Sequence, residues 1–349
     1  MGGIIRESMA PVNFDRCLAS DLWENGADLN QLESTRGITM RHLSSAVKTA
    51  AVRTSLSLLL LSSFAVAQPP GVTMEMINRQ LPLEGAPLAE PGAYATMTEG
   101  AFESARHILF RPAELTAFPA QDTLPVLVWG NGGCAINNPQ YGEFLGGIAS
   151  HGILVLTTTS VAGDEQGRRQ SADDLAAAIT WAETENARAG SPLQGKIDTA
   201  HVAVMGQSCG GFLSVGLGTD PRVGTIGVFN SGVSAPVAEA PAGAFATTDS
   251  LAQLNGPALF INGGEVDFMY GPSRANFDLI THVPAFYGAR DNAGHTATMY
   301  HPGGGEFANV ASNWVRYQFK GDTDAGKMFI GADCSLCTNP LWETAAKGL

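Results

Sequence analysis

The chain has 349 residues and predicts an α/β fold, a mostly parallel central sheet with helices on both faces. Two observations carry this. Short, continuously apolar runs recur along the sequence, and segments with helical spacing separate them. A strand buried on both faces has no polar side to alternate with, so unbroken apolar runs between helices are the mark of a parallel sheet. At 44% hydrophobic and 15% charged residues the chain can bury a sizeable core, which sets it apart from disordered and fibrous classes.

The elements follow in order. Residues 68–98, rich in Pro, Gly and Ala, read as an irregular lead-in, and Arg106–Arg111 as an early strand. Leu124–Trp129 is a short buried strand that stops at Gly130. A helix over Tyr141–Ser150 and a strand over Ile153–Thr157 come next. Asp173–Asn186 has helical spacing. His201–Met205, Ile226–Phe229, Ala258–Ile261 and Val283–Tyr287 are further strands, with helices over Ser273–Thr281 and Phe307–Phe319. The stretch 231–256, with many Ala, Pro, Ser and Thr, can shape a pocket but is too short for a large lid. No repeat and no long linker divides the chain, so residues 68–349 are expected to form one domain.

From Met40 the sequence has a basic leader (Arg41, Lys48, Arg53), an apolar core over Ser55–Phe64 and a small-x-small end, Ala65-Val66-Ala67. This reads as a signal peptide cut after Ala67. The apolar run is shorter than the roughly 20 residues that cross a bilayer, so no membrane span is expected in the mature protein. Residues 1–39 resemble neither a targeting segment nor a domain and read as an over-called upstream extension, with Met40 as initiator. A secreted or periplasmic protein follows. Removing residues 1–67 takes away six basic and six acidic residues and leaves 14 and 27, so the net charge stays −13. That charge repels nucleic acid and anionic membranes, and neither is an expected partner.

Four cysteines remain after such processing: Cys134, Cys209, Cys334 and Cys337. An exported chain favours two disulfides, with three connectivities open. Cys334-Ser335-Leu336-Cys337 lacks the second pair or histidines of a zinc site, so a local disulfide is expected there. That leaves Cys134 with Cys209, beside the candidate site.

The candidate site centres on Met205-Gly206-Gln207-Ser208-Cys209-Gly210-Gly211. The G-x-S-x-G pattern is weak alone. Here it follows a buried strand and precedes Phe212-Leu213-Ser214-Val215, which can begin a helix, and a strand–turn–helix setting is what the motif requires. Ser208 is the candidate nucleophile. A serine hydroxyl attacks only when a base takes its proton, and the acid and base are expected later in the chain, in that order. Asp267 follows the strand Ala258–Ile261, with Glu265 as its competitor. The glycines Gly263 and Gly264 favour Asp267 by letting the chain turn before it. His295 follows the next strand, with His301 as second choice. Backbone N–H donors are needed where charge develops on the substrate oxygen. The Cys209 amide is one candidate; the loop Gly130-Asn131-Gly132-Gly133-Cys134 supplies Asn131 or Gly132 as the other. That loop lacks the Lys of a phosphate-binding loop. Phe268, Met269, Tyr270 and Tyr141 are candidates for an apolar pocket. The chemistry requires no metal and no organic cofactor.

The segment Leu124–Thr157, with Gly130-Asn131-Gly132-Gly133 and Ala149-Ser150-His151-Gly152, resembles secreted α/β-hydrolases related to dienelactone hydrolases and cutinase-like polyester hydrolases. Gly195-Lys196-Ile197-Asp198-Thr199 leading into the Ser208 motif is similar to the same group, and the resemblance covers roughly residues 95–320. It implies an α/β-hydrolase fold with a short lid or none. It also implies hydrolysis of small-molecule or polymeric carboxylic esters by Ser208, His295 and Asp267 through an acyl-enzyme. Cys209, Cys134 and the Cys334/Cys337 tail depart from the group. A serine peptidase or acyltransferase with the same triad, and a non-catalytic binding protein on this fold, are the competing readings.

Overall fold

A computed structural model describes residues 83, 86–164, 167–234 and 246–349. The signal-peptide and upstream-extension readings, and residues 235–245 of the insert, lie outside the described residues. The nine strands β1 (Thr96–Gly100), β2 (His107–Pro112), β3 (Pro125–Gly130), β4 (Leu154–Thr158), β5 (Asp198–Gln207), β6 (Val223–Phe229), β7 (Ala258–Asn262), β8 (Ala285–Arg290) and β9 (Trp342–Lys347) form one sheet in the order β1-β2-β4-β3-β5-β6-β7-β8-β9. The pairings between β4 and β8 are parallel; β1, β2 and β9 join antiparallel at the two edges. This is the mostly parallel sheet that the apolar runs predict, in keeping with the α/β-hydrolase fold that the resemblance implies.

Alternation inside these apolar strands sorts side chains to two core layers. Val126 and Val128 of β3 join Val202 and Val204 of β5 on one face. Leu127 and Trp129 join Ala203 and Met205 on the other. The first face is covered by α2 (Ala172–Ala187), α3 (Cys209–Leu217) and α5 (Tyr270–Leu279). The second is covered by α1 (Gly142–Ala149) and α6 (Gly305–Lys320). Among the described residues two one-turn helices, α4 (Thr248–Leu251) and α7 (Thr323–Gly326), are also present. Local signals fix the helix ends. Ser171 and Asp174 form a capping box at the start of α2. On α6 the buried Phe307, Val310, Ala311, Trp314 and Val315 repeat at the spacing of one helical face. Among the described residues no helix is long and apolar enough to cross a membrane.

Four departures from expectation follow. β1 begins inside the stretch read as irregular, and β9 was not predicted. Both are edge strands with mixed, half-exposed side chains. The last parallel strand starts at Ala285 rather than Val283, because Pro284 has no N–H to give to a ladder. The helix after Ser208 starts at Cys209, three residues earlier than the apolar run Phe212–Val215 indicates.

Candidate active site

The strand ends build the site. In open α/β sheets the crevice outside the carboxyl ends of parallel strands is where ligands bind. β5 delivers Gln207 and Ser208 there, β6 delivers Asn230, β7 leads into Asp267, and β8 leads into His295.

Ser208 has φ 54° and ψ −119°, a conformation that a residue with a side chain adopts only where its surroundings enforce it. The Ser208 amide donates to the Phe229 carbonyl at 2.9 Å, and the Ser208 carbonyl accepts from the Ser231 hydroxyl at 2.6 Å. The turn works only because β3, β5 and α3 come very close. A Cβ on Gly210 would stand 2.8 Å from Gly130 Cα and nearer still to its carbonyl. Gly210→Ala is therefore expected to destabilise the protein by at least about 2 kcal/mol through backbone overpacking. Thermal unfolding followed by circular dichroism checks this; an unchanged midpoint would contradict the close approach.

Asp267 and His295 meet. His295 Nδ1 and Asp267 Oδ1 are 2.8 Å apart, and both side chains are buried, His295 being 5% exposed and Asp267 1%. Gly264, at φ 76°, makes the turn that carries the chain from β7 to Asp267. The Met269 amide donates to Oδ1 at 3.1 Å, and Asn230 Nδ2 donates to Oδ2 at 2.8 Å. Burial pushes the Asp267 carboxyl up, but the hydrogen bond and charge of His295, with the Met269 and Asn230 donors, outweigh it and hold the carboxyl below the ordinary 3.8. Glu265, the competing acid, is exposed. The half-buried His301 opens a 3₁₀ turn before α6, and no hydrogen bond joins its ring to Asp267 among the described residues. The His295 loop is pinned at both ends by a buried ion pair, Arg290 Nε to Glu306 Oε1 at 2.6 Å.

Ser208 is half-buried, and its hydroxyl makes no hydrogen bond to His295 here. Such contacts are often long in a ligand-free enzyme and tighten around substrate. The residue before it supplies the link instead. Gln207 Nε2 donates to the His295 carbonyl at 2.8 Å, and Gln207 Oε1 accepts from the Tyr141 hydroxyl at 2.8 Å. Gln207 and Asn230 did not stand out in the sequence. The signal available was position: each is a polar residue at the carboxyl end of an apolar strand.

The loop after β3 corrects one expectation. The Asn131 N–H donates to the buried Gln170 Oε1 at 2.6 Å, so this amide is already committed to a protein acceptor. The Gly132 N–H reaches only the Tyr141 hydroxyl, at 3.3 Å, a long contact for an N–H donor. Cys134 and Cys209 are disulfide-bonded, with Cα atoms 5.1 Å apart, and Cys334 and Cys337 form the second bridge. The first bridge ties the β3 loop to the residue directly after Ser208.

The pocket candidates separate. Tyr141 is 1% exposed and packs edge-on against Trp129; it belongs to the core and the hydrogen-bond network, which corrects its place as a pocket wall. Tyr270 is turned to Glu343, donating at 2.6 Å, and Met269 acts through its amide. Phe268 is half-buried and stacks on His295, with ring centroids 4.2 Å apart and a 32° tilt.

Comparison with curated proteins found no match. A family model described as PET hydrolase-like matches residues 140–332, more than half of the chain, in a stretch that runs from α1 past the end of α7 and includes Ser208, Asp267 and His295. With the sheet order and this match together, the chain belongs to the PET hydrolase-like family, an α/β-hydrolase-type family of polyester hydrolases, and is a hydrolase that acts on esters.

Proposed function

We propose that the protein cleaves carboxylic esters, polyester chains among them, through an acyl-enzyme formed on Ser208. His295 takes the Ser208 proton as Oγ attacks the carbonyl carbon, and returns it to the leaving alcohol. Asp267 holds the imidazole by Nδ1 and balances the charge His295 gains. Water, deprotonated by His295, then attacks the acyl carbon; the bond to Ser208 Oγ breaks, His295 returns the proton to Oγ, and the acid is released. The observation that carries this reading is the buried 2.8 Å contact between His295 and Asp267, across the strand ends from a serine held at φ 54°.

The oxyanion donors follow from which amides are free. The Cys209 N–H is the first of α3 and has no intrahelical partner, and the helix N-terminus favours negative charge. Gly132 replaces Asn131 as the second donor, because its contact with Tyr141 is the weaker one to exchange. The two disulfides support an exported protein, released by cleavage after Ala67, with residues 68–349 as one catalytic domain.

The test is a substrate panel on purified protein. Para-nitrophenyl esters are expected to turn over at least about a hundredfold faster than the matching para-nitroanilides, with water rather than added alcohol as acceptor. Equal rates on the anilides would favour a peptidase, and dominant ester exchange into the alcohol an acyltransferase. No turnover with either substrate would favour a binding protein.

A further inference from the structure

Phe268 stands directly after the acid, on the turn between β7 and α5, and its ring lies over the imidazole of His295 at 4.2 Å between centroids with a 32° tilt. This places the negative face of a π-system against the group that carries positive charge in each step of acyl transfer. We propose that Phe268 is a positioning residue that favours the imidazolium form of His295 and fixes the plane of its ring. The proposal rests on His295 being the general base.

Two effects of the ring oppose one another. An aromatic face attracts a cation within about 6 Å of its centroid, and the attraction grows as water is excluded from the pair. Covering the imidazole from water works against charge. The second effect changes little in the comparison, because a leucine at position 268 keeps most of the cover that leaves His295 5% exposed. What such a change removes is the π-face. The surroundings add no competing switch. β7 is followed by the carboxylate of Asp267, which stays ionised above its depressed value. β5 contributes the neutral Gln207 through the His295 carbonyl, and β6 the neutral Asn230 through Asp267. Arg290 at the end of β8 and Glu306 at the start of α6 are paired to each other, and Tyr270 at the start of α5 is paired to Glu343.

The experiment titrates His295 in the full chain by NMR of the ring carbon-bound protons, assigned by loss of the signal in His295→Asn. Wild type is compared with Phe268→Leu and Phe268→Trp, alongside kcat and KM against pH for each. In Phe268→Leu the titration midpoint is expected to fall by at least about half a pH unit. The low-pH limb of kcat/KM should move down with it, and the plateau kcat should fall two- to fivefold at nearly constant KM. Phe268→Trp, with the stronger π-face, should keep or raise the midpoint and restore kcat. An unmoved or raised midpoint in Phe268→Leu, or a Trp variant that behaves like Leu, overturns the proposal. A wild-type kinetic limb that does not coincide with the His295 titration overturns instead the reading of His295 as the base, so the two failures are distinct.

Discussion

Asp267→Asn is expected to lower kcat by about 10⁴-fold while leaving the protein folded. The asparagine keeps the shape of the side chain and can still accept one hydrogen bond. It removes the charge that balances the imidazolium, and it lets its amide donate to Nδ1, which would place the imidazole proton on the wrong nitrogen. The same variant has a pH signature in stability. The folded carboxyl lies below the ordinary 3.8, so its contribution to stability is present above that value. It is lost as pH falls through the folded value. Wild type should therefore lose stability relative to Asp267→Asn on acidification below about pH 4. Single-turnover kinetics and urea unfolding across pH 2–7 read both effects. An Asp267→Asn enzyme within tenfold of wild type would remove Asp267 from the site.

The second large effect concerns the bridge between Cys134 and Cys209, which closes a sequence separation of 75 residues. In a chain-entropy account a loop of that length stabilises the folded protein by about 4 kcal/mol, against about 2 kcal/mol for the three-residue separation of Cys334–Cys337. Replacing both Cys134 and Cys209 by Ser should cost the larger amount in denaturant unfolding, and replacing Cys334 and Cys337 the smaller. The first pair of changes should also lower kcat more than it raises KM, since the bridge joins the two segments that carry the proposed oxyanion donors, Gly132 and Cys209. Equal stability losses for the two double variants would show that loop closure is not what the first bridge supplies.

The central sheet was readable because β3 to β7 are nearly all-apolar runs, and burial on both faces permits nothing else. β1 and β9 were not, because an edge strand with one solvated side carries Thr-Met-Thr-Glu-Gly or Trp-Glu-Thr-Ala-Ala-Lys, which read as loop. Ser208, Asp267 and His295 could be picked out as candidates because each follows a strand, in the chain order that goes with a strand–turn–helix serine motif. Asp267 was separable from Glu265 by the glycine turn, and the structure places only Asp267 against His295. The commitment of the Asn131 amide was not readable, since it depends on Gln170, 39 residues away. Gln207, Asn230 and Gln170 are buried polar residues whose partners lie far along the chain, and a polar residue beside a turn looks solvent-facing until those partners are known. Phe268 looked like pocket lining for the same reason: nothing local indicates that its ring meets His295.

The central claim is that Ser208 carries the acyl group, and trapping that intermediate tests it most directly. Protein mixed with a para-nitrophenyl ester, quenched in acid within the first turnover and measured intact by mass spectrometry should gain one acyl mass. Peptide mapping should place it on Ser208, and the adduct should be absent from Ser208→Ala. An adduct on another residue, or ester turnover by Ser208→Ala at the wild-type rate, would contradict the account.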